Sequence, residues 1–337
     1  MIAKRPLGPL SDFVANGGLA EALEPPADTH VYERIEILLE SLSEAFVAHV
    51  VRSEHASVAR LDVLMVERGL MHIGCKIPRK LEGLVELFSD EQLPSLTYED
   101  LVMANPPDDV RAFTRGAIGE TERMFYLRHA LIEVQLAAMA SAMRTAIENS
   151  DDEAATRALA SVDGFAENVL NYSRKVGRQD VEHFKDHARG FRRFLMSHPT
   201  RGHKGPSGEF SPGIPIVDML LHGDHLGIAQ FDYIAERMEY YPIRTRESME
   251  SAREWVKRSK TLVTRWQRGS RAEQLWDRVE SIGKFLNAFR ALHLRVVPRQ
   301  IPEVRSGPIG GTGGSVDVMQ HLSARQSIMA FDSRKYR

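Results

Sequence analysis

The sequence predicts an all-α protein, and three observations carry that reading. Apolar residues recur at three-and-four spacing along most of the chain. Period-two alternation of the kind that marks strands is almost absent. Clusters of helix breakers fall between the periodic stretches, at Asn105-Pro106-Pro107, Asn149 to Asp152, His198-Pro199, Tyr241-Pro242 and Gly307 to Ser315. Taken in order, residues 1–30 hold Pro6, Pro9, Gly17-Gly18, Pro25 and Pro26 and read as an irregular arm. Helices are then predicted over 31–69, 78–89, 97–104, 107–117, 120–149, 151–176, 179–197, 213–223, 225–239, 246–268, 271–297 and 315–330. The stretch 197–213 is too rich in turn formers for regular structure, and long irregular segments in helical proteins often carry function. No internal repeat is present.

At 337 residues the chain can bury a sizeable core, and we divide it into an N-terminal arm and helical region over 1–90 and a helical domain over 91–337. Hydrophobic residues make up 43% and charged residues 27%, the balance of an ordinary soluble protein. A net charge of −2 provides no electrostatic attraction to nucleic acid. No uninterrupted apolar run reaches about 18 residues, and the first ten residues lack a signal-peptide core, so the expectation is a cytoplasmic protein with no membrane partner. Cys75 is the only cysteine, which excludes an intrachain disulfide, a cysteine zinc cluster and thioether haem attachment.

Two histidines lie on the apolar stripes of long predicted helices. In 281–297, Ile282, Phe285, Leu286, Phe289, Leu292, Val296 and Val297 form one stripe, and His293 falls on it four residues after Phe289. In 120–149, Phe125, His129, Ile132, Leu136, Met139 and Met143 form another, with Glu133 one turn beyond His129 and in reach of its ring. An inward histidine is either a hydrogen-bonded core residue or a ligand. Two of them on separate helices suit a macrocycle, one as axial ligand and the other across the ring as acid, base or hydrogen-bond donor.

Other constellations compete. His183 and His187 have a chelating i,i+4 spacing but sit among Lys185, Asp186 and Arg189, as on a solvated face. His222, Asp224 and His225 offer the donors of a facial-triad iron site, or the caps of a helix terminus. Residues 184–195 interleave Arg189, Arg192 and Arg193 with aromatics, either a surface cluster or a clamp for a carboxylate. The loop Gly310-Gly311-Thr312-Gly313-Gly314-Ser315 is either a flexible linker or a backbone that approaches a ligand closely. It lacks the spacing of a nucleotide fingerprint.

Taken together, these segments resemble the tryptophan and indoleamine 2,3-dioxygenase superfamily of histidine-ligated haem proteins. Phe289-Arg290-x-x-His293 followed by the glycine loop resembles that family's proximal helix and substrate-capping loop. Phe125-x-x-x-His129-x-x-x-Glu133 is similar to the distal helix of the tryptophan branch, where the indoleamine branch has serine in place of the histidine. Gly205-Pro206-Ser207-Gly208 leading to Asp218-Met219-Leu220-Leu221 looks like the loop over the distal haem face. The resemblance spans about 95–325. Its tail, with Ser306-Gly307-Pro308 before the glycine loop, is most similar to the monodechloroaminopyrrolnitrin synthase group, which acts on a chlorinated tryptophan in secondary metabolism.

The resemblance implies a helical bundle enclosing haem b, an oxygenase activity on tryptophan or a tryptophan derivative, and dioxygen or peroxide as co-substrate. His293 would bind the iron, with Phe289 and Gly311 against the cofactor. Arg189 or Arg192 would hold the substrate carboxylate, and Thr312 and Gly313 its amino group or a haem propionate. Phe125 and Tyr126 would stack near the ring, Ser207 and Gly208 would line the distal face, and His129 would hydrogen-bond the indole N–H or the bound oxygen. A homo-oligomer is implied as well, because the dioxygenases assemble. Pro298 and Pro302 depart from the dioxygenases, and Pro298 is expected to break the proximal helix a turn after the ligand. The competing readings are a haem-dependent hydroxylase or peroxygenase of tyrosine-type substrates, a non-catalytic haem protein ligated by both histidines, and a non-haem metal enzyme built on His222, Asp224 and His225.

Overall fold

The computed structural model describes residues 4–24, 30–89, 95–149, 151–178, 190–195, 205–206, 211–223, 238, 241–259, 261–266, 273–300 and 332; the side chains of 176–178, 293, 294 and 296–300 are set aside. Among the described residues every long element is a helix and none is a strand, as the periodicity predicts. The chain forms two compact units, one built mainly from residues 1–127 with 190–195, the other from 128–178 with described parts of 210–310.

The first unit contains α1 (Pro9–Ala15), α2 (Gly18–Ala22), α3 (Val31–Glu40), α4 (Glu44–Val51), α5 (Ala56–His72), α6 (Arg79–Phe88), α7 (Tyr98–Val102) and the start of α8 (Gly116–Glu148). The supposed irregular arm holds two helices. Pro9 reads as a breaker but occupies the first turn, where its missing N–H costs nothing, and Leu10, Phe13 and Val14 bury the helix face. The single helix expected over 31–69 is three, because Ser43 accepts from the Phe46 N–H and starts α4 afresh. At the centre lies α5, buried on all sides from Ala59 to Leu70 and packed against α1, α4, α6 and α7. Two of its interior charges are paired: Arg60 donates to Asp100 at 2.8 Å and Arg111 donates to Asp62 at 3.0 Å.

The helix expected over 107–117 does not form, and side chains explain why. Asn105 brackets the Arg111 backbone, accepting from its N–H at 2.7 Å and donating to its carbonyl at 3.1 Å. Glu122, fully buried on α8, accepts from the N–H groups of Phe113 and Thr114 at 2.9 Å each. Those donors are committed to a carboxylate and so unavailable to a helical ladder.

The second unit contains the rest of α8, α9 (Asp152–Leu159), α10 (Val162–Arg178), α11 (Gly213–His222), α12 (Ile243–Arg258), α13 (Leu262–Arg265) and α14 (Glu273–Gln300). The predicted stripe on α8 is its core face here, with Ile132, Leu136, Met139 and Met143 buried. By length and composition α8 is apolar enough to cross a membrane, a test that the core helix of a bundle passes as readily. α14 lies along α9, α10 and α11, burying Leu275, Val279, Ile282, Phe285 and Leu286, while Asp163 of α10 accepts from Arg278 and from Ser281 at 2.8 Å. The Arg265 guanidinium donates to the carbonyls of Ile147 and Asn149, closing the end of α8. The break expected at Pro298 does not occur: α14 continues to Gln300, the proline falling in the last turn, where one lost backbone bond bends a helix rather than stopping it.

Candidate functional site

α11 is the element on which the second unit's polar chemistry converges. Its sequence, Gly-Ile-Pro-Ile-Val-Asp-Met-Leu-Leu-His, has one acidic residue among apolar ones. Asp218 is fully buried, and both of its carboxylate oxygens accept from the Arg290 guanidinium of α14, whose side chain is 11% exposed. Burial pushes the Asp218 carboxyl above its ordinary range, opposed by the neighbouring Arg290 charge. Arg290 stands three residues before His293 on the same helix, so the pair anchors α14 to α11 one turn ahead of that histidine. Beyond Leu286 the apolar face opens: Phe289, its ring 6.3 Å from Phe285, and Leu292 are only half-buried.

Both ends of α11 require glycine. At its start, a Cβ on Gly213 would meet the Leu136 Cβ at 2.7 Å and Glu133 Oε2 at 2.8 Å, and the Gly213 N–H donates to that carboxylate oxygen at 3.2 Å. At its end, Gly223 turns with φ +54°, and a Cβ there would meet Thr261 Cγ2 at 2.3 Å. Glu133 is buried, while His129, one turn earlier on α8, is half-buried rather than sunk in the core as its stripe position predicts. The turn of α8 that bears His129 therefore lies at the rim of its apolar face.

In the first unit, Phe125 is half-buried and its ring lies 5.7 Å from Phe191, in a run of aromatics where Phe194 stacks on Phe113 at 4.6 Å. Tyr126 is fully buried and its hydroxyl donates to Glu122 Oε1 at 2.8 Å. Glu122 accepts from Thr114 as well, and burial raises its carboxyl against these donors. Tyr126 thus meets the Phe125 ring in an edge-type arrangement and spends its hydroxyl on the core. Arg192 is half-buried beside Phe191, and Arg193 lies over the Phe194 ring at 4.8 Å.

The remaining predicted residues fall elsewhere. Arg189, Ser207, Gly208, Gly311, Thr312 and Gly313 lie outside the described residues, as do His183, His187, Asp224 and His225. His293 has a described helical backbone only, and His222 is fully buried at the end of α11. Among the described residues no group of three or more His, Cys, Asp or Glu is placed to hold a metal ion, a test that does not address a porphyrin bound through one imidazole. Sequence reasoning singled out neither the Asp218–Arg290 pair nor the Glu133–Gly213 contact. The available signal was the lone carboxylate in an otherwise apolar helix, which requires a buried cation nearby. In comparison with known protein families and with curated proteins, nothing matches this chain.

Proposed function

We propose that this chain is a haem-dependent oxygenase of an aromatic amino acid, tryptophan or a tryptophan derivative. The observation that carries the reading is the buried Asp218–Arg290 pair, which fixes α14 one turn before the histidine assigned to the iron. The donor chemistry fits haem b: a histidine at position 293, half-buried Phe289 and Leu292 on the same helix for the macrocycle's apolar edge, and a second histidine on α8. Bound haem would supply the activation of dioxygen or peroxide.

The chain's own residues have the following parts in this reading. Arg290, already neutralised by Asp218, orients the helix and does not compete for the substrate's carboxylate. That carboxylate falls to Arg189 or Arg192, and the amino group to Thr312 and Gly313. Phe125 offers a half-buried ring for stacking. Tyr126, whose hydroxyl is committed to Glu122, contributes shape and no proton. His129, at the rim of its stripe, exchanges a hydrogen bond with the indole N–H or a reacting oxygen, while Ser207 and Gly208 leave room for the ring.

The test is direct. The wild-type chain should take up hemin with a Soret band, His293→Ala should lack it, and His129→Ala should keep it with altered turnover of tryptophan. A colourless protein that ignores hemin removes the reading. Oxygen insertion into tyrosine with tryptophan inert would move the assignment to a tyrosine-type hydroxylase or peroxygenase. A six-coordinate low-spin spectrum indifferent to aromatic amino acids would make the chain a haem-binding protein without catalysis.

A further inference from the structure

We propose that Glu133 is a positioning residue, reaching from α8 to supply the N-terminal cap that α11 lacks and so fixing α11 against the helix turn that bears His129. The residue before α11 is Pro212, whose side chain accepts no hydrogen bond, so the first backbone N–H groups of the helix have no local cap. The carboxyl of Glu133, 80 positions earlier in the chain, accepts from the Gly213 N–H at 3.2 Å. Glu133 is 3% exposed, and Gly213 is buried too, so water cannot take over that bond if it is lost. The fit is close on the other side also, because a Cβ on Gly213 would lie 2.8 Å from Glu133 Oε2 and 2.7 Å from Leu136 Cβ.

Position matters because of what the two helices carry. One turn before Glu133 on α8 is His129; a turn and a half past Gly213 on α11 is Asp218, which grips Arg290 ahead of His293. Two buried carboxylates, one at each contact, thus tie α8 to α11 and α11 to α14. Glu133 acts through these helices and touches no reacting atom. The inference that this spacing serves two histidines rests on the proposed haem reading. The inference that Glu133 caps and places α11 does not.

The experiment compares Glu133→Gln, Glu133→Ala and Gly213→Ala with the wild-type full-length chain. Hydrogen–deuterium exchange is followed first without hemin, and hemin binding is then measured by titration at the Soret band. Glu133→Ala and Gly213→Ala should speed exchange in the first turn of α11 and leave α5 unchanged. Glu133→Gln, which keeps an oxygen acceptor, should restore protection. Hemin affinity should fall by about tenfold in the first two variants, the order expected for one buried hydrogen bond, and return toward wild type with glutamine. Wild-type exchange over 213–216 in Glu133→Ala would overturn the capping. Faster exchange with unchanged hemin affinity would overturn the positioning role and leave a structural cap. If the wild-type chain takes up no hemin, the haem reading fails and the exchange comparison still decides the cap. Should Glu133→Ala not fold, Gly213→Ala against Glu133→Gln makes the same comparison.

Discussion

Replacing Asp218 by alanine leaves the Arg290 guanidinium buried, with the Asp218 carboxylate gone. The side chains are 0% and 11% exposed, so neither charge is rescued by solvent in place. Breaking such a pair from one side costs about 3–5 kcal/mol, against a total stability of about 5–15 kcal/mol. With a urea slope of about 3 kcal/mol/M, the unfolding midpoint should drop by about 1–1.7 M. Arg290→Met should cost less, because the raised Asp218 carboxyl can take a proton once its partner is gone. The double variant Asp218→Leu/Arg290→Met removes both charges and should lie near wild type. The assay is urea unfolding of all four proteins, read as a double-mutant cycle. We expect a coupling energy above about 2 kcal/mol. Additivity within about 0.5 kcal/mol would refute the claim that these two residues stabilise each other.

Asp62 should make stability depend on pH in an unusual direction. Burial raises its carboxyl from 3.8 to about 6 despite Arg111, so the folded state binds a proton that the unfolded state does not yet hold between those values. Its contribution therefore rises as pH falls from 7 toward 4, by at most about 3 kcal/mol for a shift of about two units. Wild type should gain on Asp62→Asn over that interval in chemical unfolding, and a flat or reversed difference would contradict the assignment. Tyr126→Phe removes one of four hydrogen bonds to Glu122 and should cost about 1 kcal/mol, lowering the melting temperature by about 2–4 °C. Glu122→Ala strands the buried N–H groups of Phe113 and Thr114 together and should cost several times as much, so equal melting temperatures for the two variants would show that the network is not what holds 113–114 in place.

Long-period features were legible in the sequence, and features that depend on one distant side chain were not. α8 and α14 were legible because an apolar stripe repeated over many turns outweighs any single residue. The non-helical run before α8 was not, since 107–117 is locally compatible with a helix until Glu122, several residues downstream, claims its N–H groups. Pro9 misled because a proline stops a helix from inside and starts one from its first turn. Ser43 is a cap of readable type, but it sits within a continuous apolar pattern that favours one long helix. In the candidate site, periodicity set the helix and stripe of His129 but not its depth, because how far a stripe is covered depends on its neighbours. The Asp218–Arg290 pair joins positions 72 apart, and nothing local to either one names the other.

The physical case for a site at α14 rests on what the buried pair is worth and what it is worth it for. α11 buries Val217, Leu220 and Leu221 and packs against α14, and apolar burial of that kind stabilises a pair of helices without any ion pair. A buried ion pair adds little to that and often less than leucine and methionine in its place, since both ions must be stripped of water. What it adds is direction: one guanidinium nitrogen of Arg290 is held between both oxygens of the buried Asp218 carboxylate, which ties position 290 of α14 to one point on α11, where apolar packing alone is non-directional. A helix whose only duty is to fill a core has no use for that constraint, whereas a helix proposed to place a ligating histidine three residues later does. The double variant that removes both charges separates these cases. If it folds with wild-type stability and still binds hemin with wild-type affinity, the pair is an ordinary core feature and the proposed site loses its main support. If it folds as stably and loses hemin, orientation of the His293 helix is what the pair is for.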